Sequence, residues 1–426
     1  MLLLEGGRVL CPATGLDTRA DVLVVDGRIE AIGTGLVDAG APARVLDCSG
    51  AVVAPGLVDL SAHLCDPGDP ARETLESGAR AAAAGGFTTV LAAPDTLPVV
   101  DHPALVRDVL WRGEGTDGAR VLPAGAITVG LAGEELAEIG LMVEAGAPAL
   151  GDGGAPVEDA GILRRALDYA RPFGVPVLLR PGEPALERDG VMHEGAVSLR
   201  MGLRGIPALA EELGVTRLVG LARLTQARVH LTHVTTARSL DLVRRAKADG
   251  VRVTASAPAR NLILTDQDIE RSGYDTRLRV VPPLRPESDR QALLRAVKDG
   301  TIDALISDHV PWGREDKELE FAWARPGALG LASALRAVYT ALDGDLRQTL
   351  EVLAAGPGRV LGMAGSLAIG ASADVLVFDE GPATVFDGFR FGRARNEPLH
   401  GHPLMGGVRM TLRAGRLVFP AVPSRG

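Results

Sequence analysis

Eight short apolar runs recur through the middle of the chain, separated for the most part by longer helical patterns, and this alternation limits the fold more than any other feature. The runs fall at 56–60, 88–93, 121–125, 148–151, 175–179, 229–232, 251–255 and 304–307. Helical patterns are read over 72–84, 134–145, 159–170, 239–249 and 288–298. Strands joined through crossover helices lie parallel, and eight of them predict closure into an α/β fold of the (β/α)8 TIM type. Such a barrel takes about 250 residues, and more than 400 with insertions, so a chain of 426 residues has room for a smaller module beside it. The small-residue run 81–86 reads as a tightly packed helix end.

The two ends echo one another. Ala20-Asp21-Val22-Leu23-Val24-Val25-Asp26-Gly27-Arg28-Ile29 is matched by Ala373-Asp374-Val375-Leu376-Val377-Phe378-Asp379, and Ala414-Gly415-Arg416-Leu417-Val418 repeats its second half. Each is a β-branched or alternating run meeting a Gly-bearing turn, as in a hairpin. Neither end is long enough for a core of its own. Residues 1–54 and 365–426 are therefore expected to form one small β-module, with the barrel over 55–364.

Composition narrows the function. A formal net charge of -9 with Lys and Arg dispersed argues against a nucleic-acid surface, which needs a basic face. Cys11, Cys48 and Cys65 suggest neither a disulfide framework nor a cysteine zinc site. No apolar run approaches the roughly 20 residues of a membrane span, and no basic n-region precedes the first apolar residues. A cytoplasmic protein is expected.

Barrel chemistry sits at the carboxyl ends of the strands. Read in order, those positions carry Asp59, Ser61, His63 and Cys65, then Asp95, Asp152 with Gly153, Arg180, His233, Ser256, and finally Asp308 with His309. Several polar groups thus converge on one mouth. His230 reads as strand packing, while His102, His193, His400 and His402 fall outside the constellation and read as surface or loop residues.

These segments resemble the type I dihydroorotase family of the amidohydrolase superfamily. The resemblance runs almost end to end through Pro55-Gly56-Leu57-Val58-Asp59, Arg72-Glu73-Thr74-Leu75-Glu76-Ser77-Gly78, Gly85-Gly86-Phe87-Thr88-Thr89-Val90, Pro94-Asp95-Thr96, Gly133-Glu134-Glu135-Leu136-Ala137-Glu138, His230-Leu231-Thr232-His233-Val234-Thr235-Thr236, Pro282-Pro283-Leu284-Arg285 and Ser307-Asp308-His309-Val310-Pro311. It implies a metal-dependent barrel that interconverts dihydroorotate and N-carbamoyl-L-aspartate in pyrimidine biosynthesis.

The resemblance also implies a ligand set, and this chain departs from it. His63, His233 and Asp308 match metal positions, with Asp308 also the implied proton carrier. Ser61 stands where the first histidine is expected, Gly153 where the bridging aspartate is expected and Arg180 where the strand-five histidine is expected. Glycine offers no ligand atom, serine is a poor zinc ligand, and a guanidinium repels a dication. Of the substrate-holding positions, Cys65 replaces an arginine, Asp95 an asparagine and Arg277 another asparagine, while His309 is kept.

These losses favour a dihydroorotase-like pseudoenzyme without cofactor, a non-catalytic subunit in an oligomer with aspartate carbamoyltransferase, the partner that the resemblance suggests. The alternative is an active dihydroorotase with zinc at a reduced mononuclear site of His63, His233 and Asp308. Each of the three also reads as a barrel-mouth residue bonded to a neighbour. Arg180 is expected to pair with Asp308 or Asp152 in place of the metal's charge.

Overall fold

A computed structural model describes residues 1–36, 44–363 and 365–420. Residues 37–43 and 421–426 of the β-module and residue 364 of the barrel segment lie outside the described residues.

The central sheet has eight parallel strands in chain order: Leu57–Ala62, Phe87–Ala92, Arg120–Ala126, Ala149–Gly151, Val177–Leu179, Val229–Leu231, Val253–Pro258 and Ala304–Ile306. The last strand returns to the first through a bridge between Ala62 and His309, with the His63 N–H donating to the His309 carbonyl at 2.8 Å. Side chains complete the closure, because Ser307 donates its N–H and its hydroxyl to the buried Asp59 carboxylate. Val58, Leu60, Leu91, Ala124, Ala149, Leu178, Ala304 and Ile306 form one buried cluster. A larger cluster joins the strands to the surrounding helices.

Helix starts follow their caps. The pattern read over 72–84 becomes a helix only at Leu75–Ala84, since Thr74 accepts the Ser77 N–H and Ser77 accepts the Thr74 N–H. That helix ends against backbone, and a Cβ at Gly85 would lie 2.0 Å from the Leu331 carbonyl oxygen. The pattern over 134–145 is helical only at Ile139–Glu144. Its first part pairs elsewhere: Val129 donates to Glu135, Ala137 donates to Ile127, and Thr128 bridges Leu136.

The second sheet is drawn from both ends of the chain. Its order is Arg416–Phe419, Gly407–Arg413, Val375–Asp379, Val52–Pro55, Leu2–Cys11, Leu16–Val25, Arg28–Gly33, with Arg44–Asp47 also on Leu2–Cys11. Residues from both ends share one core, including Leu4, Val22, Val53, Val375, Val377 and Leu412. The module meets the barrel at the first helix, where Thr411 donates its hydroxyl to the Ala83 carbonyl.

Candidate functional site

Two histidines approach a small cavity at the carboxyl ends of the strands, each backed by an aspartate. His63 holds Asp95 through Nδ1 at 2.6 Å, and His233 holds Asp308 through Nε2 at 3.0 Å. A carboxylate oxygen only accepts, so the bonded ring nitrogen carries the proton in both pairs. In a neutral ring this leaves the opposite nitrogen as an acceptor, and His233 Nδ1 is buried without a partner. The cavity, about 40 Å³, is lined by both histidines together with Ser61, Asp152, Gly153 and Thr232.

Electrostatics separate the two pairs. Burial pushes the His63 imidazole down, but Asp95 outweighs it and leaves the ring above its ordinary value. Burial likewise opposes ionisation of Asp95, yet His63 keeps that carboxyl below the usual range. Asp308 is pushed up by burial and pulled further down by the Arg260 guanidinium and His233, so it stays a carboxylate.

Backbone geometry is special at the same places. His233 has φ 59° and Asp308 φ 45°, left-handed conformations that cost non-glycine residues about 1 kcal/mol or more. The turn after His233 is held by Glu211, which is buried and accepts the N–H groups of Thr235 and Thr236, each at 2.9 Å. Arg285 pairs with Glu211 at 3.0 Å and reaches His193 Nδ1 at 3.2 Å. His193 is therefore a buried member of this network, not the surface or loop residue expected. His230 is buried between the Thr254 and Ser256 hydroxyls within the sheet.

Arg180 behaves differently from the expectation. Its guanidinium forks onto Glu187, with Nη1 at 2.9 Å and Nη2 at 2.7 Å, and its Nε donates to the Gly154 carbonyl. Only its backbone N–H reaches Asp152, at 2.9 Å, and it makes no hydrogen bond to Asp308. Glu187, seven residues on, carries the opposite charge locally. Asp152 is satisfied by backbone N–H groups of Arg180 and Gly154, and burial raises its carboxyl to about 7.

Arg260 takes the place expected of Arg180. It follows the seventh strand, is 3% exposed, pairs with Asp308 through Nη1, and directs Nη2 to the carbonyls of Ser307, Asp308 and Ala328. Asn261 beside it is buried with neither amide atom partnered. Reading the seventh strand only as far as Ser256 missed both. The signal was the polar pair Arg260-Asn261 directly beyond that strand.

The remaining site positions are dispersed. His309 is buried, with Nε2 on Glu73 at 3.3 Å and Nδ1 accepting from Gly330, so both nitrogens are engaged. Cys65 is partly buried at φ 55°, and burial pushes its thiol up to about 12. Arg277 pairs with Asp275 two residues away. Arg72, which lies near Cys65, Asp95 and His63, donates to the Pro311 carbonyl at 2.9 Å and stacks 3.6 Å from the Trp312 ring centroid.

The amidohydrolase zinc does not fit this donor set. His63 and His233 each keep one ring nitrogen, but both Asp308 oxygens are engaged by His233 and Arg260, and Ser61, Gly153 and Arg180, which stand where the resemblance implies ligands, offer no imidazole or carboxylate. Among the described residues no three His, Cys, Asp or Glu side chains come together as a metal-holding group. No helix among them is long and apolar enough to cross a membrane.

Comparison with known proteins places this geometry in a family. Residues 50–239 match the dihydro-orotase-like family model and 187–418 the amidohydrolase family model. A dihydroorotase of Anaeromyxobacter dehalogenans is 43% identical over 98% of both chains, and one of Pelotomaculum thermopropionicum is 45% identical over 98% of both. The L-hydantoinase structure from Arthrobacter aurescens superposes with TM-score 0.85 at 24% identity, covering 98% of this chain and 95% of its own, which shows the fold. These relatives correct the expectation of a non-catalytic copy, because proteins named dihydroorotase match this chain from end to end and support the enzyme alternative. The eight-stranded barrel, the mouth it builds and the full-length matches together show that the chain belongs to the dihydroorotase-like family of amidohydrolases.

Proposed function

We propose that the chain hydrolyses the ring amide of dihydroorotate to N-carbamoyl-L-aspartate and catalyses the reverse closure. The observation that carries this reading is the full-length match to dihydroorotases, two of them 43% and 45% identical. The two histidines at the barrel mouth suit the chemistry, which needs one group to take a proton and another to give one.

His233 takes a proton from water on Nδ1, the nitrogen left free by Asp308, while the water oxygen attacks the amide carbon. His63, kept more readily protonated by Asp95, gives a proton to the ring nitrogen as the carbon–nitrogen bond breaks. The new carboxyl group loses its proton, and both imidazoles return to their starting states by exchange with solvent. A cavity of about 40 Å³ holds a water. The substrate ring needs the mouth to widen, since small-molecule sites occupy roughly 300 Å³ or more.

Arg72 is the cation available to the substrate carboxylate now that position 65 is cysteine. Its Nε is held by Pro311 and its flat face by Trp312, which leaves its terminal nitrogens for an anion. Absorbance-monitored hydrolysis of dihydroorotate by the purified chain tests the reading. Turnover that His233→Asn lowers about 100-fold is expected, and a fully folded protein without turnover in either direction would overturn it.

A further inference from the structure

We infer that Arg260 supplies the fixed positive charge at this site, so that the hydrolysis runs without a bound divalent cation. The inference rests on the dihydroorotate-hydrolase reading and adds to it the source of the site's charge.

Acceptors meet both terminal nitrogens of Arg260, while its buried Nε has no partner. Its guanidinium lies beside one carboxylate and faces the carbonyls of Ser307, Asp308 and Ala328, and the side chain is 3% exposed. Guanidinium is planar, permanently charged and suited to a forked set of acceptors. Asp308 is thereby fixed on one side by Arg260 and on the other by His233. A dication bound to Asp308 and His233 would sit beside that guanidinium with little water to screen the repulsion.

The neighbouring substitutions follow the same logic. Asp308 is matched by Arg260, and at the end of the fifth strand Arg180 is matched by Glu187. Burying a carboxylate without a counter-charge is costly. Arg260 meets this requirement for Asp308, Asp152 is met by backbone N–H groups alone, and Gly153 and Ser61 contribute no strong ligand. Arg260 is a positioning residue: it holds Asp308, which sets the His233 tautomer and leaves Nδ1 as an unpartnered acceptor.

The test uses the full chain, purified without added metal. Zinc content by mass spectrometry and zinc titration by calorimetry are expected to give less than about a tenth of an equivalent. Dialysis against a chelator is expected to leave turnover within about twofold and the melting temperature unchanged. About one equivalent of zinc that Asp308→Asn abolishes, a count typical of a mononuclear site, would overturn the inference.

Arg260→Gln is expected to lower kcat about 100-fold, the scale of a displaced acid–base group, with a smaller change in KM. Arg260→Lys should retain more of kcat, and added guanidinium ion should restore part of the activity of Arg260→Gln. Equal losses in both folded variants without such rescue would overturn the role of Arg260. If the wild-type chain turns over no dihydroorotate, the functional reading fails, while the zinc measurements and the relative melting temperatures of the two variants still decide the source of charge.

Discussion

Asp59 accepts both hydrogen bonds that Ser307 can donate, the backbone N–H on Oδ1 at 2.7 Å and the hydroxyl on Oδ2 at 2.6 Å. This pair ties the first strand to the residue that follows the last strand and precedes Asp308. Burial raises the Asp59 carboxyl from 3.8 to about 7, against the hydrogen bonds from Ser307. The folded state therefore binds the proton more tightly than the unfolded chain. The resulting stability is fully present below about pH 4 and is lost as pH rises through about 7. Asp59→Asn is expected to flatten this part of the dependence in urea denaturation at pH 5 and pH 8. Asp59→Ala leaves the Ser307 N–H unpaired and should cost about 1–3 kcal/mol.

His233→Asn should lower kcat for dihydroorotate about 100-fold while the melting temperature changes little. Asparagine tolerates the left-handed backbone that His233 adopts at φ 59°, so the variant isolates the imidazole. His63→Gln should give a loss of similar scale. Retention of wild-type kcat by either variant would exclude the assigned proton transfer.

Arg72→Ala is expected to raise KM by roughly 10- to 100-fold, the scale of a lost charge-assisted contact of about 1.5–3 kcal/mol, with kcat less affected. Steady-state kinetics at several ionic strengths checks this. An unchanged KM would remove Arg72 from substrate binding.

Glu211→Ala removes the partner of buried Arg285 and the acceptor of two N–H groups in the turn after His233. A loss of about 3–5 kcal/mol is expected by denaturant titration. Glu187→Ala should cost less, because Glu187 is 16% exposed and water partly screens its pair with Arg180.

The barrel was legible because strand and helix alternate with two different periods, and each strand end presents a polar residue that stands out from its apolar run. His63, His233 and Asp308 were found in this way. Their pairing was not, because His63 lies 32 residues from Asp95 and His233 lies 75 residues from Asp308. Arg180 was assigned the wrong partner for a related reason: Glu187 lies on the short helix Pro184–Glu187, which apolar periodicity over four residues cannot reveal. The 18-residue helix Ala208–Thr225 escaped too, since its apolar residues surround the axis without forming one stripe. Glu211, which steadies the His233 turn, sits on that helix.

The second sheet imposes an order on biosynthesis. Leu367 donates its N–H to Cys11 Sγ across 356 residues of chain, and Val52–Pro55 pairs on one edge with Leu2–Cys11 and on the other with Val375–Asp379. At about 5–20 residues per second, a ribosome needs roughly 20–70 s to make the intervening chain. Throughout that interval one edge of Val52–Pro55 waits unpaired, which is when the nascent chain is most open to pairing with a neighbour and when a holding chaperone would raise its yield.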